Sequence, residues 1–373
     1  MSLIDEPYYF ARLAVTEGIG AVLAKKLVAY CGGAAAVYER NLKELATIPG
    51  IGTQNIQHLF GQKAKEDAEQ VMRDVERLGL RMIPYTDSDY PRRLVQCHDA
   101  PLLLFQKGRT DLNPAYALSV VGTRYATDYG KGFTDRFIEG LKDTGVVVVS
   151  GLAHGIDIQA HKAALRHGLP TVAVLAHGLD HIYPAVNRPT AERMQEEGGS
   201  LLSEFVPGTP ADKDRFPMRN RIIAGLSDAT VVMESDKKGG SMITARMAND
   251  YARDVFALPG RVGDRYARGT NILIRTDAAH LLESPKEFLK MMGWDEKSQE
   301  PASQVSLFVD LDPSEKTLAE AMGTEPTPVD VIAARTDWPM SKVSSMLLSM
   351  EFKGLVRAMP GKRYAWIGGL VSA

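Results

Sequence analysis

The sequence predicts an α/β protein built on a doubly wound, mainly parallel sheet, with a helical domain before it and a winged helix after it. Three observations carry this. Short apolar runs alternate with helical stretches from Tyr116 to about Pro259, each run apolar on both faces. Polar and glycine residues follow the strands and would gather at one sheet edge. Helical punctuation of a different kind fills both ends of the chain.

Residues 1–80 form the first predicted domain. Two related turns, Glu17-Gly18-Ile19-Gly20 and Pro49-Gly50-Ile51-Gly52, each open a helix. That is the helix-hairpin-helix pattern, whose glycine turn offers backbone N–H groups to a DNA phosphate. The flanking helices carry few basic residues, so a small bundle with tight turns fits equally well.

Residues 81–285 form the second. Strands are predicted at 117–121, 146–149, 171–175, 200–203, 230–233 and 255–258, with helices at Asp128–Lys142, Ile156–Arg166, Arg188–Glu197 and Ser241–Arg253 between them. In such sheets ligands bind beyond the carboxyl ends of the strands. Those ends carry Gly122-Thr123-Arg124, Ser150-Gly151, His177-Gly178, Glu204 and Glu234.

The stretch from Phe216 to Gly260 is the most informative. It is expected to run from a basic helix start (Arg219, Asn220, Arg221) through a strand to the turn Lys237-Lys238-Gly239-Gly240-Ser241 and a second helix. Glycines admit an anion close to the backbone, and a helix N-terminus supplies unpaired N–H groups and partial positive charge. Arg124, Arg219, Arg221, Lys238 and Arg246 are predicted at or near this edge, where they would contact phosphate. Phe216 and Tyr125 are placed to stack on unpaired bases.

Residues 286–313 read as a polar linker. From 314 to 373 three helices and a hairpin give the winged helix-turn-helix order, with Thr327 or Asp330 capping the second helix and Ser341, Lys342, Ser344 and Ser345 on the polar side of the third. That helix is poor in Arg and Lys, so protein contact fits it as well as base reading.

Composition bounds the function. With 373 residues, 45% hydrophobic, the chain is long enough for two or three packed domains. A net charge of −2 means that a nucleic-acid site has to be a local basic patch. Cys31 and Cys97 are the only cysteines, which fits a reducing compartment and excludes a thiolate zinc site. The acidic N-terminus lacks a signal-peptide charge pattern and no apolar run approaches ~20 residues, so the expectation is a soluble cytoplasmic protein without membrane contact.

Several chemistries lack their residues. There is no Walker A motif, and Arg124 fills the space where a dinucleotide's pyrophosphate approaches, so neither ATP hydrolysis nor nicotinamide chemistry is expected. No cofactor is expected. Ser150 to Asp157 is either a second anion cradle or a tight strand-to-helix turn. His154, His161, His177 and His181 lie near Asp157 and Asp180, but neither pair has the spacing of a compact metal-binding helix, so no metal site is expected. No GxSxG elbow supplies a nucleophile.

The motifs SVVGTR (119–124), SGLAHGIDIQAH (150–161), VAVLAHGLDHIYPAVN (172–187), SEFVPG (203–208), FPMRNRIIAGLSD (216–228), GGSMITA (239–245) and FALPG (256–260) together resemble the DNA-processing protein A family, DprA, also called Smf. The resemblance covers the whole central domain in register. It implies a Rossmann-like central domain, an N-terminal helix-hairpin-helix or SAM-like domain and a C-terminal winged helix. It implies a non-enzymatic protein that binds and protects single-stranded DNA in natural transformation and helps load the RecA recombinase. Homodimers through the Rossmann-like domain and contact with single-strand binding protein are further implied.

Carried across by motif, DNA contacts fall on Gly122, Thr123 and Arg124, on Phe216, Arg219, Asn220 and Arg221, and on Gly240, Ser241 and Thr244. The anion turn adds Lys238 and Gly239. Thr123 stands where Ser or Ala is common. The alternative is a nucleotide phosphoribohydrolase-like enzyme on a related domain, which needs a PGGxGT turn and a nearby catalytic Glu. Here Lys238 replaces the Pro, Met242 the third glycine, and Ala245-Arg246 follow instead of a carboxylate. A double-strand regulator acting through the terminal domains is a third reading.

Overall fold

The computed structural model describes residues 6–295, 311–322, 327–353, 355–359 and 363–366. Contacts divide the chain into a unit over 1–295 and a second over 296–373.

The first unit opens with six helices: α1 (Glu6–Val15), α2 (Ala21–Cys31), α3 (Ala34–Glu39), α4 (Leu42–Leu45), α5 (Thr53–Phe60) and α6 (Gln62–Leu78). Both glycine turns form, with Gly18 and Gly50 in the positive-φ region that favours glycine. Asn55 joins them: its amide donates to the Gly18 carbonyl (3.0 Å) and its Oδ1 accepts the Gly52 N–H (2.9 Å). Ile19 and Ile51 are buried beneath.

Residues 1–80 share a core with the sheet rather than standing apart. Ala11, Val71 and Leu80 pack with Leu103, Phe105, Leu175 and Leu201. Val71, Met72, Val75 and Leu78 on α6 give the apolar stripe that makes this contact.

The sheet follows: β1 (Arg81–Pro84), α7 (Arg92–Val95), β2 (Leu103–Gly108), β3 (Ala117–Val121), α8 (Asp128–Glu139), β4 (Val147–Ser150), α9 (Ile156–Arg166), β5 (Thr171–Val174), α10 (Arg188–Glu196), β6 (Ser200–Ser203), α11 (Arg215–Gly225), β7 (Ala229–Val232), α12 (Gly240–Asp250), β8 (Asp254–Ala257), α13 (Arg268–Arg275), β9 (His280–Leu281) and α14 (Pro285–Met292). Its order is β1-β2-β6-β5-β4-β3-β7-β8-β9 among the described residues. From β6 to β9 all neighbours are parallel, while β1 and β2 add an antiparallel edge. β3 to β7 are buried on both faces, as helix-covered parallel strands must be.

The six predicted strands each lie within one residue of the observed bounds. β1, β2 and β9 are additions. The predicted linker at 286–313 needs correction at its start: α14 occupies Pro285–Met292 and buries Phe288 against Phe137 (5.3 Å), Phe256 (4.9 Å) and Trp294 (5.4 Å between ring centroids). Its aromatics outweigh a polar composition. The remainder of that segment, 296–310, lies outside the described residues.

The second unit contains α15 (Pro313–Met322), β10 (Thr327–Pro328), α16 (Val329–Thr336), α17 (Met340–Phe352), β11 (Val356–Met359) and β12 (Arg363–Trp366), with sheet order β10-β12-β11. Leu318, Ile332, Val343 and Leu347 form its core. Ser341, Lys342, Ser344 and Ser345 are exposed on α17, and Lys342 lies 3.8 Å over the Trp338 ring. Thr327 does not cap α16; its hydroxyl donates to the Met322 carbonyl (2.7 Å), and Pro328 takes the cap position.

Candidate nucleic-acid interface

The chain places β4, β5 and β6 on one side of β3, then crosses back to lay β7 on the other. A doubly wound sheet opens a crevice at this reversal, beyond the carboxyl ends of β3 and β7. The loop 122–125 follows β3 and the loop 233–239 follows β7. They are tied directly, the Thr123 N–H donating to the Glu234 carbonyl (2.7 Å).

Two further contacts fix the first loop. The Thr123 carbonyl accepts the Ile156 N–H (3.2 Å) at the start of α9. Gly155, at φ +78°, lies so close that a Cβ there would come within 2.1 Å of the Thr123 carbonyl oxygen. The glycine turn after β4 therefore acts as a template for Thr123 and Arg124. Below, the Glu234 carboxylate accepts the Thr127 N–H (2.9 Å) and hydroxyl (2.5 Å), and Thr127 caps α8.

The resulting cleft has a volume of about 730 Å³. Of the twelve predicted contacts, it brings together Gly122, Thr123, Arg124, Phe216, Arg219, Asn220, Lys238, Gly239, Gly240, Ser241 and Thr244. The α11 wall has helical logic: Phe216, Arg219, Asn220 and Ile223 form one i, i+3, i+4, i+7 stripe. Arg124 is exposed and its guanidinium carbon lies 5.3 Å from the centre of the half-buried Phe216 ring. Tyr183 lies 6.0 Å from Phe216.

Opposite stands the start of α12. Gly239 takes the cap position and Gly240 begins the helix, so the Gly240 and Ser241 N–H groups lie at the cleft without intrahelical partners, while the Met242 N–H donates to the Gly239 carbonyl (3.0 Å). A Cβ on Gly240 would meet nothing within 4 Å, so the surface there is bare backbone. Ser241 and Thr244 are buried floor residues, the Ser241 hydroxyl donating to Ser235 Oγ (2.8 Å). Lys238 and Lys213 are exposed at the rim; Arg246 is exposed farther along α12 and does not line the cleft.

Arg219 lines the floor but is 3% exposed. It donates to the carbonyls of Gly151 (2.7 Å) and Val174, and so joins the ends of β4 and β5. Gly151 has no room for a side chain here: a Cβ would come within 2.6 Å of both Arg219 Nη1 and Asp157 Oδ2. Burial lowers the Arg219 pKa to about 10, which leaves it cationic at neutral pH. Burial also pushes the Asp157 carboxyl up, against the pull of Arg219. The predicted role of Arg219 changes accordingly. It supplies positive potential from beneath, with Nη1 committed to the main chain and Nε donating to Asn220 Oδ1 (3.3 Å).

Arg221 does not reach the cleft. Two residues along a helix turn through roughly 200°, so it leaves the stripe set by Arg219. It donates to the Asp99 carbonyl (2.5 Å) and forms an ion pair with Glu204, the two side chains 12% and 13% exposed. Burial raises the Glu204 carboxyl pKa, and Arg221 draws it back down.

Of His154, His161, His177 and His181, the last three have structural partners. His161 is fully buried with Nδ1 2.7 Å from the Thr171 hydroxyl, and the His177 and His181 rings stack at 4.4 Å. Among the described residues no three His, Cys, Asp or Glu side chains converge as a metal set. Sequence reasoning missed Arg265 and Tyr266, which also line the cleft. They follow β8, and the rule that picked out the loops after β3 and β7 applies equally to them. No helix among the described residues is long and apolar enough to cross a membrane.

A Rossmann-like sheet with a cation- and amide-lined cleft at its switch point, followed by a winged helix, defines an α/β protein of the doubly wound class. The chain belongs to the DNA recombination-mediator protein A family: residues 81–293 match that family's model, and 299–362 match the DprA winged helix domain. It is 33% identical to the Smf protein of Synechocystis over 96% of this chain and 98% of that protein. The X-ray structure of DNA processing protein A from Streptococcus pneumoniae superimposes with a TM-score of 0.63 at 34% identity, covering 76% of this chain and 97% of that one. The Helicobacter pylori protein, whose structure was described for its single-stranded DNA binding mode, gives 0.53 at 30% identity over 58% and 96%. The family assigns the chain to DNA processing in recombination.

Proposed function

We propose that this protein binds single-stranded DNA in the switch-point cleft and acts as a recombination mediator in DNA uptake, protecting the incoming strand and helping to load RecA. The observation that carries the reading is the Arg124–Phe216 pair facing the open N-terminus of α12 across one cleft. A base stacks on the aromatic face while its phosphate meets Arg124, Lys238 and the first α12 N–H groups. The strand is held, not cut. The described binding mode of the Helicobacter pylori relative supports the ligand. A homodimer through the sheet domain and contact with single-strand binding protein belong to the same proposal.

Fluorescence anisotropy with a single-stranded oligonucleotide tests the cleft. An Arg124→Ala, Lys238→Ala double variant with an unchanged circular dichroism spectrum is expected to bind at least tenfold more weakly, on the order of two lost charged contacts. Wild-type affinity in that folded variant overturns the site. For the mediator role, RecA filament growth on a strand precoated with single-strand binding protein is expected to accelerate when this protein is added. Unaltered filament growth refutes that role. Light scattering at rising concentration tests the dimer.

A further inference from the structure

A second cavity opens beside the cleft, beyond the carboxyl ends of β7 and β8 and under the start of α8. Its volume is about 850 Å³, within the roughly 300–1,000 Å³ of small-molecule sites. Arg265 and Tyr266 line both spaces, so a single side-chain wall divides them. That wall is aromatic and charged. The exposed Tyr125 ring lies 6.2 Å from Tyr266 at an interplanar angle of 18°, and Arg265 stands 5.6 Å over Tyr266 while pairing with Asp236 at 2.7 Å.

The interior combines two kinds of surface. Met233, Leu258 and Ala267 give it apolar walls, and Glu234, 6% exposed, contributes a carboxylate. Each Glu234 oxygen accepts one bond from Thr127 and keeps further acceptor capacity. Apolar walls, a tyrosine ring and the buried Glu234 acceptor, with Asp264 exposed among the lining residues, suit a flat heterocycle whose edge carries an amine. A phosphate does not suit the carboxylate. It fits the rim, where Arg261 is exposed.

We infer that this cavity receives one unpaired nucleobase of the strand held in the neighbouring cleft, its exocyclic amine directed at Glu234. The inference rests on the single-strand reading of the cleft. The strand crosses Tyr125 and Tyr266 to reach the cavity, so these rings form the step between two subsites. Because Glu234 accepts and does not donate, guanine, adenine and cytosine fit and thymine, which has no amine, fits worse.

The test uses the full chain and a series of oligonucleotides, each lacking the base at one position. Beyond the base stacked on Phe216, one further position is expected to be sensitive, with base removal there weakening binding roughly tenfold, the scale of one lost base contact. At that position thymine should bind more weakly than guanine. Ala267→Leu narrows the cavity, and Tyr266→Ala, which removes the step, serves if the first variant does not fold. Either should bind the intact strand about as weakly as wild type binds the abasic one, with sensitivity cut to under about twofold.

An abasic series without a second sensitive position, or sensitivity that survives both variants, overturns the inference. Arg124→Ala separates the two levels. If it weakens binding while the abasic result is negative, the cleft stands and the cavity assignment falls; if it binds like wild type, the cleft reading itself fails. Free dGMP offers the same base chemistry. Saturable dGMP binding that adds to oligonucleotide binding without competing assigns the cavity to free nucleotide and overturns the strand-base assignment, whereas competition that disappears in Ala267→Leu supports it.

Discussion

The guanidinium carbon of Arg124 lies 5.3 Å from the centre of the Phe216 ring, joining the loop after β3 to the first turn of α11 across the cleft. A cation over a ring this close is worth about 0.5–1 kcal/mol at an exposed site, so each residue holds the other in place for a strand. Arg124→Ala is expected to weaken single-strand binding by about 1–3 kcal/mol, and Phe216→Ala by a similar amount for one lost base stack. The double variant should lose less than the sum. Anisotropy titrations over a salt series check this, because Arg124→Ala should also reduce the salt slope by about 0.7, one phosphate's share on a single strand. Additive losses with an unchanged slope refute the coupling.

Arg221 gives the opposite expectation. It is paired with Glu204 where both side chains are largely buried, and removing one partner of such a pair costs about 3–5 kcal/mol because the other charge is left unpaired. Urea unfolding of Arg221→Ala should therefore show a large drop in midpoint. Strand affinity, measured well below that midpoint, should stay near wild type. A variant of wild-type stability that fails to bind DNA would identify Arg221 as a contact after all.

Gly155 shapes the cleft without touching its ligand. An alanine there combines a left-handed φ with a Cβ 2.1 Å from the Thr123 carbonyl oxygen. The variant should lose about 1–3 kcal/mol of stability, the scale of overpacking or a strained backbone, and bind the strand more weakly because Thr123 and Arg124 shift. Gly145→Ala, also at positive φ (+68°) but with open space around it, is the control for a positive-φ alanine without the clash. Equal strand affinity in the two variants counts against the template role.

Acid should destabilise the first unit through His161. Its ring is fully buried, and burial, reinforced by the charge of Arg219, lowers its pKa to about 3. The unfolded chain takes up the proton near pH 6.5, so stability from this group is complete above that value and is lost as pH falls toward 3. The full span is on the order of 4–5 kcal/mol at 1.36 kcal/mol per unit. His177, also lowered by burial, acts in the same direction, whereas the raised carboxyl of Asp157 favours the folded state at lower pH. The difference between wild type and His161→Asn isolates the one group. Thermal midpoints recorded from pH 8 to pH 4 should fall more steeply for wild type, and parallel curves refute the assignment.

The sheet was legible because β3 to β8 are short, apolar and separated by helices, a pattern that parallel pairing imposes locally. β1 and β2 were not. The run Arg81–Pro84 opens on an exposed arginine and ends in proline, and its strand character comes from pairing with Leu103–Gln106. The cleft was legible as glycine turns and basic residues near one edge. What misled was taking the basic run of α11 as one cluster: Arg219 and Arg221 are two residues apart, so on the helix Arg215–Gly225 they lie on different faces. The committed hydrogen bonds of Arg219 depend on carbonyls 68 and 45 residues away, which no local pattern encodes.

Ending the chain at residue 295 should leave the cleft working. Residues 1–295 form one compact unit whose aromatic cluster closes with Trp294, 6% exposed, and all residues lining the cleft lie within it. The truncation removes the winged helix but no cleft side chain. Its thermal midpoint should match that of the corresponding transition in the full chain, and its single-strand affinity should stay within about threefold, or roughly 0.7 kcal/mol. Duplex affinity is the discriminating measurement. If the full chain prefers duplex and the truncation does not, the winged helix reads double-stranded DNA. If both bind duplex equally weakly, its exposed α17 face, with Ser341, Lys342, Ser344 and Ser345, is left for protein contact.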